Sequence, residues 1–245
     1  MCVNYITVSR QLAFEWFRTP IETNEEWRDE LYQDYRGPII VPGANGSRQG
    51  LPASYGLIPQ PKLRSGLKLT TMNARSETVG SAQNYKRPWA ASQLCLVPML
   101  AFFEPNWEQG THVRYRIGMA NDDPFAVAGV YQSYQEADGT LTYAFTQLTM
   151  NADEHPLMKR FHRPGDEKRS LIIVRPDDYD DWLHCSDPER ARSFFQLYPA
   201  EWMTAQPAPK TTLPKAPKPA DDKVRAPTAR AAAEVAEPMQ ASLFD

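Results

Sequence analysis

From Gln93 to Ala152 the sequence runs as a series of apolar or alternating segments separated by turn-forming residues, a pattern that favours an antiparallel sheet. Gln93–Glu104, Val113–Met119, Phe125–Tyr134 and Leu141–Ala152 have strand length and the β-branched and aromatic content of a pleated, half-buried surface. Asp138-Gly139, between the last two, is a strong hairpin signal because both positions tolerate positive φ. Arg36–Pro42, Leu67–Arg75 and Ser170–Pro176 carry the same strand pattern. Helices are expected at the edges. Thr23-Asn24-Glu25-Glu26 reads as a capping box ahead of Trp27 and Leu31. Ser186-Asp187-Pro188 reads as the cap and start of a helix that buries Phe194, Phe195 and Leu197. Asp177–Leu183 reads as another short helix, and Pro156–Phe161 as a single turn. The fold class is therefore α+β: a curved, mostly antiparallel sheet with peripheral helices.

Composition divides the chain in two. Residues 1–205 have the apolar content of a globular domain. Residues 206–245, with seven Pro and ten Ala and few large hydrophobes, cannot offset their ordering entropy by burial, so they read as a disordered Pro/Ala/Lys-rich tail. The net charge of −3 excludes a general electrostatic attraction to nucleic acid, so any DNA binding requires a local basic groove. The three cysteines, Cys2, Cys95 and Cys185, form neither a disulfide framework nor a zinc-ligand spacing, and no metal or cofactor is expected. With no signal peptide and no membrane-spanning run, the chain is expected to be cytoplasmic and monomeric.

The start, Met1-Cys2-Val3-Asn4-Tyr5, carries chemistry. Removal of Met1 would leave Cys2 with a free amine and a thiol, both partly nucleophilic at neutral pH. The amine of such a 1,2-aminothiol condenses with an aldehyde, and the thiol then closes a five-membered thiazolidine ring. Cys95 lies in an apolar strand and reads as a core thiol. His155, before Pro156, reads as a cap or surface residue, and His184 as a solvated residue at a helix end.

Four further segments set Cys2 in context. Thr71-Met72-Asn73-Ala74-Arg75-Ser76-Glu77-Thr78 closely matches the motif N-A-R-x-E-T of the SOS-response-associated peptidase (SRAP) family. Cys95-Leu96-Val97-Pro98 with Ala101-Phe102-Phe103-Glu104 resembles the family's C-L-V-P-A-D-G-F-Y-E-W, and Phe125–Val130 its F-A-x-A-G-L strand. Thr149–Ala152, then His155–Met158 and Arg160–Arg163, resembles the segment that carries the family's active-site His. The order and spacing are those of the family over roughly residues 2–185.

This resemblance implies a barrel-like sheet core. It also implies an abasic-site sensor that cross-links covalently to single-stranded DNA through Cys2, protecting the lesion during the SOS response and DNA repair, with associated self-processing peptidase activity. Cys2, Asn73, Glu104 and His162 correspond to the family's active site, and Arg75 to a residue that holds the DNA backbone. The residue types fit those roles. A carboxyl taken out of water keeps its proton more readily, so Glu104 suits acid/base opening of the sugar hemiacetal. His162 can carry the second proton near neutral pH, and Asn73 can orient an amine or hydroxyl without adding charge. Arg75 offers a bidentate clamp for a phosphate. Trp89 and Tyr55 are candidates either for base stacking or for core packing.

The sequence departs from the family in places. The usual G-R after the Cys is Val3-Asn4, the Trp after Glu104 is Pro105, and the R-M-P after the His has become Arg163-Pro164-Gly165 in an altered Arg163–Arg169 loop. These changes fall on the expected DNA-binding surface rather than on the presumed catalytic set. The end of the chain, Gln240-Ala241-Ser242-Leu243-Phe244, resembles the peptide by which bacterial repair proteins dock on the sliding clamp, with Gln240, Leu243 and Phe244 as its contacts. Two rival readings remain: an N-terminal-Cys peptidase acting on polypeptides, and a non-catalytic, clamp-recruited DNA-binding adaptor.

Overall fold

The apolar run after Gln93 forms the 13-residue strand β6 (Leu94–Asn106), and much of the sheet is organised by what pairs along it. The computed structural model describes residues 3–210; Met1, Cys2 and residues 211–245, including the clamp-like Gln240, Leu243 and Phe244, lie outside them. Before β6 come β1 (Asn4–Thr7), α1 (Arg10–Phe17), β2 (Glu30–Tyr32), β3 (Arg36–Pro42), β4 (Arg48–Tyr55), β5 (Asn73–Arg75) and α2 (Lys86–Ala90). After it come β7 (Val113–Met119), β8 (Phe125–Gln135), β9 (Leu141–Asn151), β10 (Arg169–Leu171), β11 (Ile173–Val174), α3 (Tyr179–Leu183), α4 (Pro188–Ala191) and β12 (Met203–Pro207).

The first half of β6 pairs with β8, from Leu94↔Val130 to Met99↔Phe125, and with β3 at Ile40↔Leu96. β3 pairs with β4, β4 with β9 and β9 with β8, so the circuit β6-β3-β4-β9-β8 closes into a barrel. The second half of β6 leaves that circuit to pair with β1 and β7, which carry β2 and β12 on their outer edges. The expected curved, mostly antiparallel sheet is present; the parallel pairs are β4/β9 and β5/β9.

Both faces of the barrel strands are buried, and the two-residue strand period divides their side chains cleanly. Ile39, Val41, Cys95, Val97, Met99, Val127 and Phe145 face one apolar cluster with Tyr5 and Tyr55. Their neighbours Ile40, Leu94, Leu96, Ala126, Ala128 and Val130 face a second, covered by Phe17, Trp89, Trp182 and Leu183. Among the described residues no helix is long and apolar enough to cross a membrane.

Several expectations are corrected. The capping box at Thr23 starts no helix: Thr23 Oγ1 accepts from Glu25 N (3.1 Å), while Glu25 and Glu26 are drawn into ion pairs with Arg36 and Arg10. The helix lies earlier, at α1, capped by Ser9 Oγ accepting from Leu12 N (3.2 Å). Leu67–Arg75 is a strand only from Asn73, because Ser54 and Tyr55 already occupy β9 at Ala144 and Phe145 and its edge is open only from Gln147 onward. Asp187 caps α4 and Pro188 starts it as expected, but the helix ends at Ala191, so Phe194, Phe195 and Leu197 lie beyond it.

Candidate active site

Strand direction gathers the candidate residues. β6 and β9 both run antiparallel to β8, so they finish at the same end of the sheet. β1, antiparallel to β6, starts there, and β5, parallel to β9, finishes there. Val3, Asn73, Arg75 and Glu104 therefore share one end, and the loop after β9 adds His162.

Glu104 stands two residues after Phe102 on β6 and so points to the same side as that core aromatic. It is 4% exposed and His162 7%. His162 Nε2 lies 3.3 Å from Glu104 Oε2. The loop fixes this approach in several ways. Phe161 is fully buried against Tyr115 and forms a β-bridge with Asn106. Asn106 Nδ2 donates to Arg160 O (3.1 Å), and His162 N donates to Pro105 O (2.9 Å). His162 adopts φ 66°, a left-handed conformation costing on the order of 1–2 kcal/mol, which here turns its ring toward Glu104. A carboxyl and an imidazole held together away from water can exchange a proton with a reacting group without competition from solvent.

Asn73 is half-buried on β5, opposite Gln147 of β9. Gln147 Oε1 accepts from Tyr55 Oη (3.0 Å), and Tyr55 meets Tyr5 edge-on at 5.2 Å. This run of contacts links Asn73 to β1, three residues beyond Cys2. Tyr85 Oη donates to Asn73 O (3.1 Å) and holds the strand from the other side. Cys2 itself lies outside the described residues. Its chain neighbour Val3 lines a cleft of about 510 Å³ together with Asn4, Phe103, Glu104 and Arg114.

The family model for SOS response associated peptidase (SRAP) matches residues 1–212. The chain belongs to that family. It is 28% identical over 172 residues to the abasic site processing protein YobE of Bacillus subtilis (strain 168), covering 68% of this chain and 73% of that protein. The abasic site processing protein YoqW of the same organism is also 28% identical over 172 residues, covering 68% of this chain and 71% of YoqW. A crystal structure of a protein from Bordetella bronchiseptica superposes with a TM-score of 0.77 at 30% identity, covering 84% of this chain and 99% of that one. One from Bacteroides thetaiotaomicron shares the fold at a TM-score of 0.67 and 20% identity, covering 83% of this chain and 90% of the other.

Within this SRAP domain the remaining candidates sort plainly. Arg75 is exposed and pairs with Glu167 (2.7 Å). Tyr55 is fully buried and Trp89 is 2% exposed, so both pack the core and neither can stack a base. Burial pushes the Cys95 thiol well above its ordinary value, which removes it as a rival nucleophile. His155 caps, but from a buried position: its Nδ1 accepts from Leu157 N and Met158 N, so Nε2 carries the proton and donates to Tyr198 O (2.8 Å). His184 reaches back to Asp180 O at the end of α3. Among the described residues no group of three or more His, Cys, Asp or Glu could hold a metal ion.

Sequence reasoning did not single out Arg169, which is 2% exposed and grips Glu77 through both terminal nitrogens (2.9 Å each). Glu77 sits inside the N-A-R-x-E-T motif and Arg169 ends the altered loop, so an acid and a base left over from two motifs were the available signal. Arg114, on the cleft wall, and Glu30, its ion-pair partner, lie in segments without a motif.

Proposed function

We propose that this protein captures abasic sites in single-stranded DNA, with Cys2 as the covalent nucleophile once Met1 is removed. The observation that carries this reading is the buried Glu104–His162 pair, at the end of the sheet where β1 begins, with Glu104 lining a cleft beside Val3, the residue bonded to Cys2. The similarity to YobE and YoqW, named abasic site processing proteins, supports the same substrate.

The chemistry uses no oxidant or reductant. Glu104, with His162 as proton partner, helps the cyclic hemiacetal of the abasic sugar open to its aldehyde. The Cys2 amine adds to that carbon and water leaves, giving an imine. The Cys2 thiol then adds across the C=N bond: sulfur bonds to carbon and the thiol proton passes to nitrogen, closing a thiazolidine. An imine left open would promote β-elimination and strand scission; ring closure removes it. Asn73 orients the amine or the sugar hydroxyl, and Arg75 holds a backbone phosphate.

Incubating the purified protein with abasic and intact single strands tests this. The abasic strand alone is expected to give a heat-stable cross-link. Cys2→Ser should abolish the stable product because an oxazolidine is labile, and Cys2→Ala should give at most a transient species trapped by borohydride. Stable cross-linking by Cys2→Ala would overturn the reading.

A further inference from the structure

The loop between β9 and β10 holds a second buried histidine that the proton-transfer chemistry does not use. His155 is 3% exposed, and both nitrogens of its ring are engaged. Nδ1 accepts from Leu157 N (3.1 Å) and Met158 N (3.0 Å), and Nε2 donates to Tyr198 O (2.8 Å). The His155 carbonyl accepts from Lys159 N (3.1 Å), so one residue takes three successive backbone N–H groups. Pro156, between them, has no N–H to place. The turn Met158–Arg160 therefore starts on His155 as a helix starts on its cap. It ends by delivering Phe161 to the core and His162 to Glu104.

Glu104 and His162 come from separate segments, β6 and this loop. The far side of the turn is pinned to β6 by the Asn106–Phe161 bridge and by His162 N on Pro105 O (2.9 Å). The near side is pinned by His155, and that tie also leads back to the strand bearing Glu104. Tyr198 stands shortly before β12, whose Met203 pairs with Met119 of β7, and β7 pairs with β6 at Tyr115↔Glu104. His155 thus closes a ring of contacts from Glu104 through β7 and β12 to Tyr198, and through the turn to His162. A left-handed residue such as His162, at φ 66°, persists only where its surroundings over-determine it.

We infer that His155 is a positioning residue for the proton-transfer pair: its ring fixes the turn in the register that points His162 at Glu104. The inference rests on the acid/base role proposed for Glu104 with His162 and adds what keeps the two in reach. His155 acts through His162 rather than on the substrate. An imidazole suits this because its two nitrogens serve two segments at once, one as acceptor for the turn and one as donor to Tyr198 O. Asparagine reproduces the first function, since its Oδ1 stands where Nδ1 stands. Glutamine reproduces the second, since its amide nitrogen reaches as far as Nε2.

The full chain, with Met1 removal verified by intact mass, is given an abasic single strand, and the single-turnover cross-linking rate is followed against strand concentration. His155→Ala should lower the maximal rate by roughly tenfold, within the range that a displacement of about 1 Å costs, and leave the half-saturating concentration unchanged. His155→Asn should recover most of the lost rate. The deciding measurement is a double-mutant cycle with His162→Ala. Adding His155→Ala to His162→Ala should slow the reaction further by less than about twofold, because the group it positions is already gone. Melting curves verify that each variant is folded. If His155→Ala does not melt cooperatively, His155→Gln, which keeps the donor to Tyr198 O but not the acceptor for the turn, takes its place in the cycle. Slowing by the same factor in both backgrounds, or a wild-type rate in the folded His155 variant, would overturn the inference and leave the Glu104–His162 reading standing. An unslowed His162→Ala would overturn both.

Discussion

Glu104 with His162, and Arg169 with Glu77 and Glu167, are two clusters of ionisable side chains, each with a buried member, and they are satisfied in different ways. Both terminal nitrogens of the Arg169 guanidinium are fully engaged, and only its Nε lacks a hydrogen-bond partner among the described residues. Nη1 donates to Glu77 (2.9 Å) and Glu167 (2.6 Å), and Nη2 to Glu77 (2.9 Å), Thr149 O (2.7 Å) and Thr149 Oγ1 (3.1 Å). In contrast, neither ring nitrogen of His162 has a hydrogen-bond partner among the described residues, although Nε2 approaches Glu104 to 3.3 Å. A charge whose terminal donors are all engaged locks strands together and has little left to offer a substrate. An imidazole with both ring nitrogens uncommitted among the described residues is costly to bury, but it can meet a reacting group. The contrast fits architecture for the Arg169 group and supports the proton-transfer role proposed for Glu104 with His162.

The most severe test removes proton transfer alone. Glu104→Gln and His162→Ala should each slow cross-linking by roughly 10²–10⁴-fold, the usual range for general acid–base catalysis. DNA affinity should hardly change, and the melting temperature should shift by only a few degrees. Single-turnover rates at saturating abasic strand give the answer. Near-wild-type rates in both variants would make the pair another structural contact and dissolve the contrast.

The Arg169 group should fail in the opposite way. Arg169→Ala leaves Glu77 and Glu167 without their common partner and should cost about 3 kcal/mol of stability, the low end for breaking a buried pair because both carboxylates reach solvent. The cross-linking rate per folded molecule should persist. Burial by itself would raise the Glu77 carboxyl, but hydrogen bonds from Arg169 and its charge hold it below the usual value of 4.5; the Arg169 hydrogen bond also lowers Glu167. Since the folded-state values are depressed, this stabilisation is fully present above pH 4.5 and is lost as pH falls through the lower folded values. Acid titrations of stability should therefore be steeper below pH 4.5 in the wild type than in Arg169→Ala; parallel curves would count against the network.

The same contrast explains what could be read from sequence. β3 and β7 fall where their alternation places them, and the hairpin closes at Asp138-Gly139 with Gly139 at φ 86°. β4 was hidden because Gly50 and Pro52 lie within it. A side chain at residue 50 would meet Pro20 O at 2.7 Å, and Pro52 faces Pro38 across the ladder. α1 was hidden because Phe14 and Trp16 remain exposed (56% and 47%), which blurs its apolar stripe. Glu104 and His162 were legible because chemistry restricts their types to a motif. Arg169 and Arg114 were not, because an ion-pair partner depends on which loops meet, as Glu77 and Arg169 do across 92 positions.

Arg75 gives the smallest effect and the finest distinction, since it shares Glu167 with Arg169 but lies on the surface. Its side chain is 50% exposed, and it bonds the carboxylate oxygen that Arg169 does not use. An exposed pair of this kind adds less than about 1 kcal/mol to stability, so Arg75→Ala should melt almost like the wild type. Binding is where it should register. When a backbone phosphate displaces Glu167 from Arg75, the carboxylate still has Arg169 at 2.6 Å, so the exchange strands no charge. Arg75→Ala should therefore weaken binding to all single strands alike and flatten the salt dependence by about one unit. Glu167→Gln, which releases Arg75 from its competitor, should tighten binding modestly. Fluorescence titrations of intact single strands of differing sequence, at several salt concentrations, measure both effects. A loss confined to certain sequences would place Arg75 against a base edge instead of the backbone, and an unchanged salt slope would return it to the structural group with Arg169.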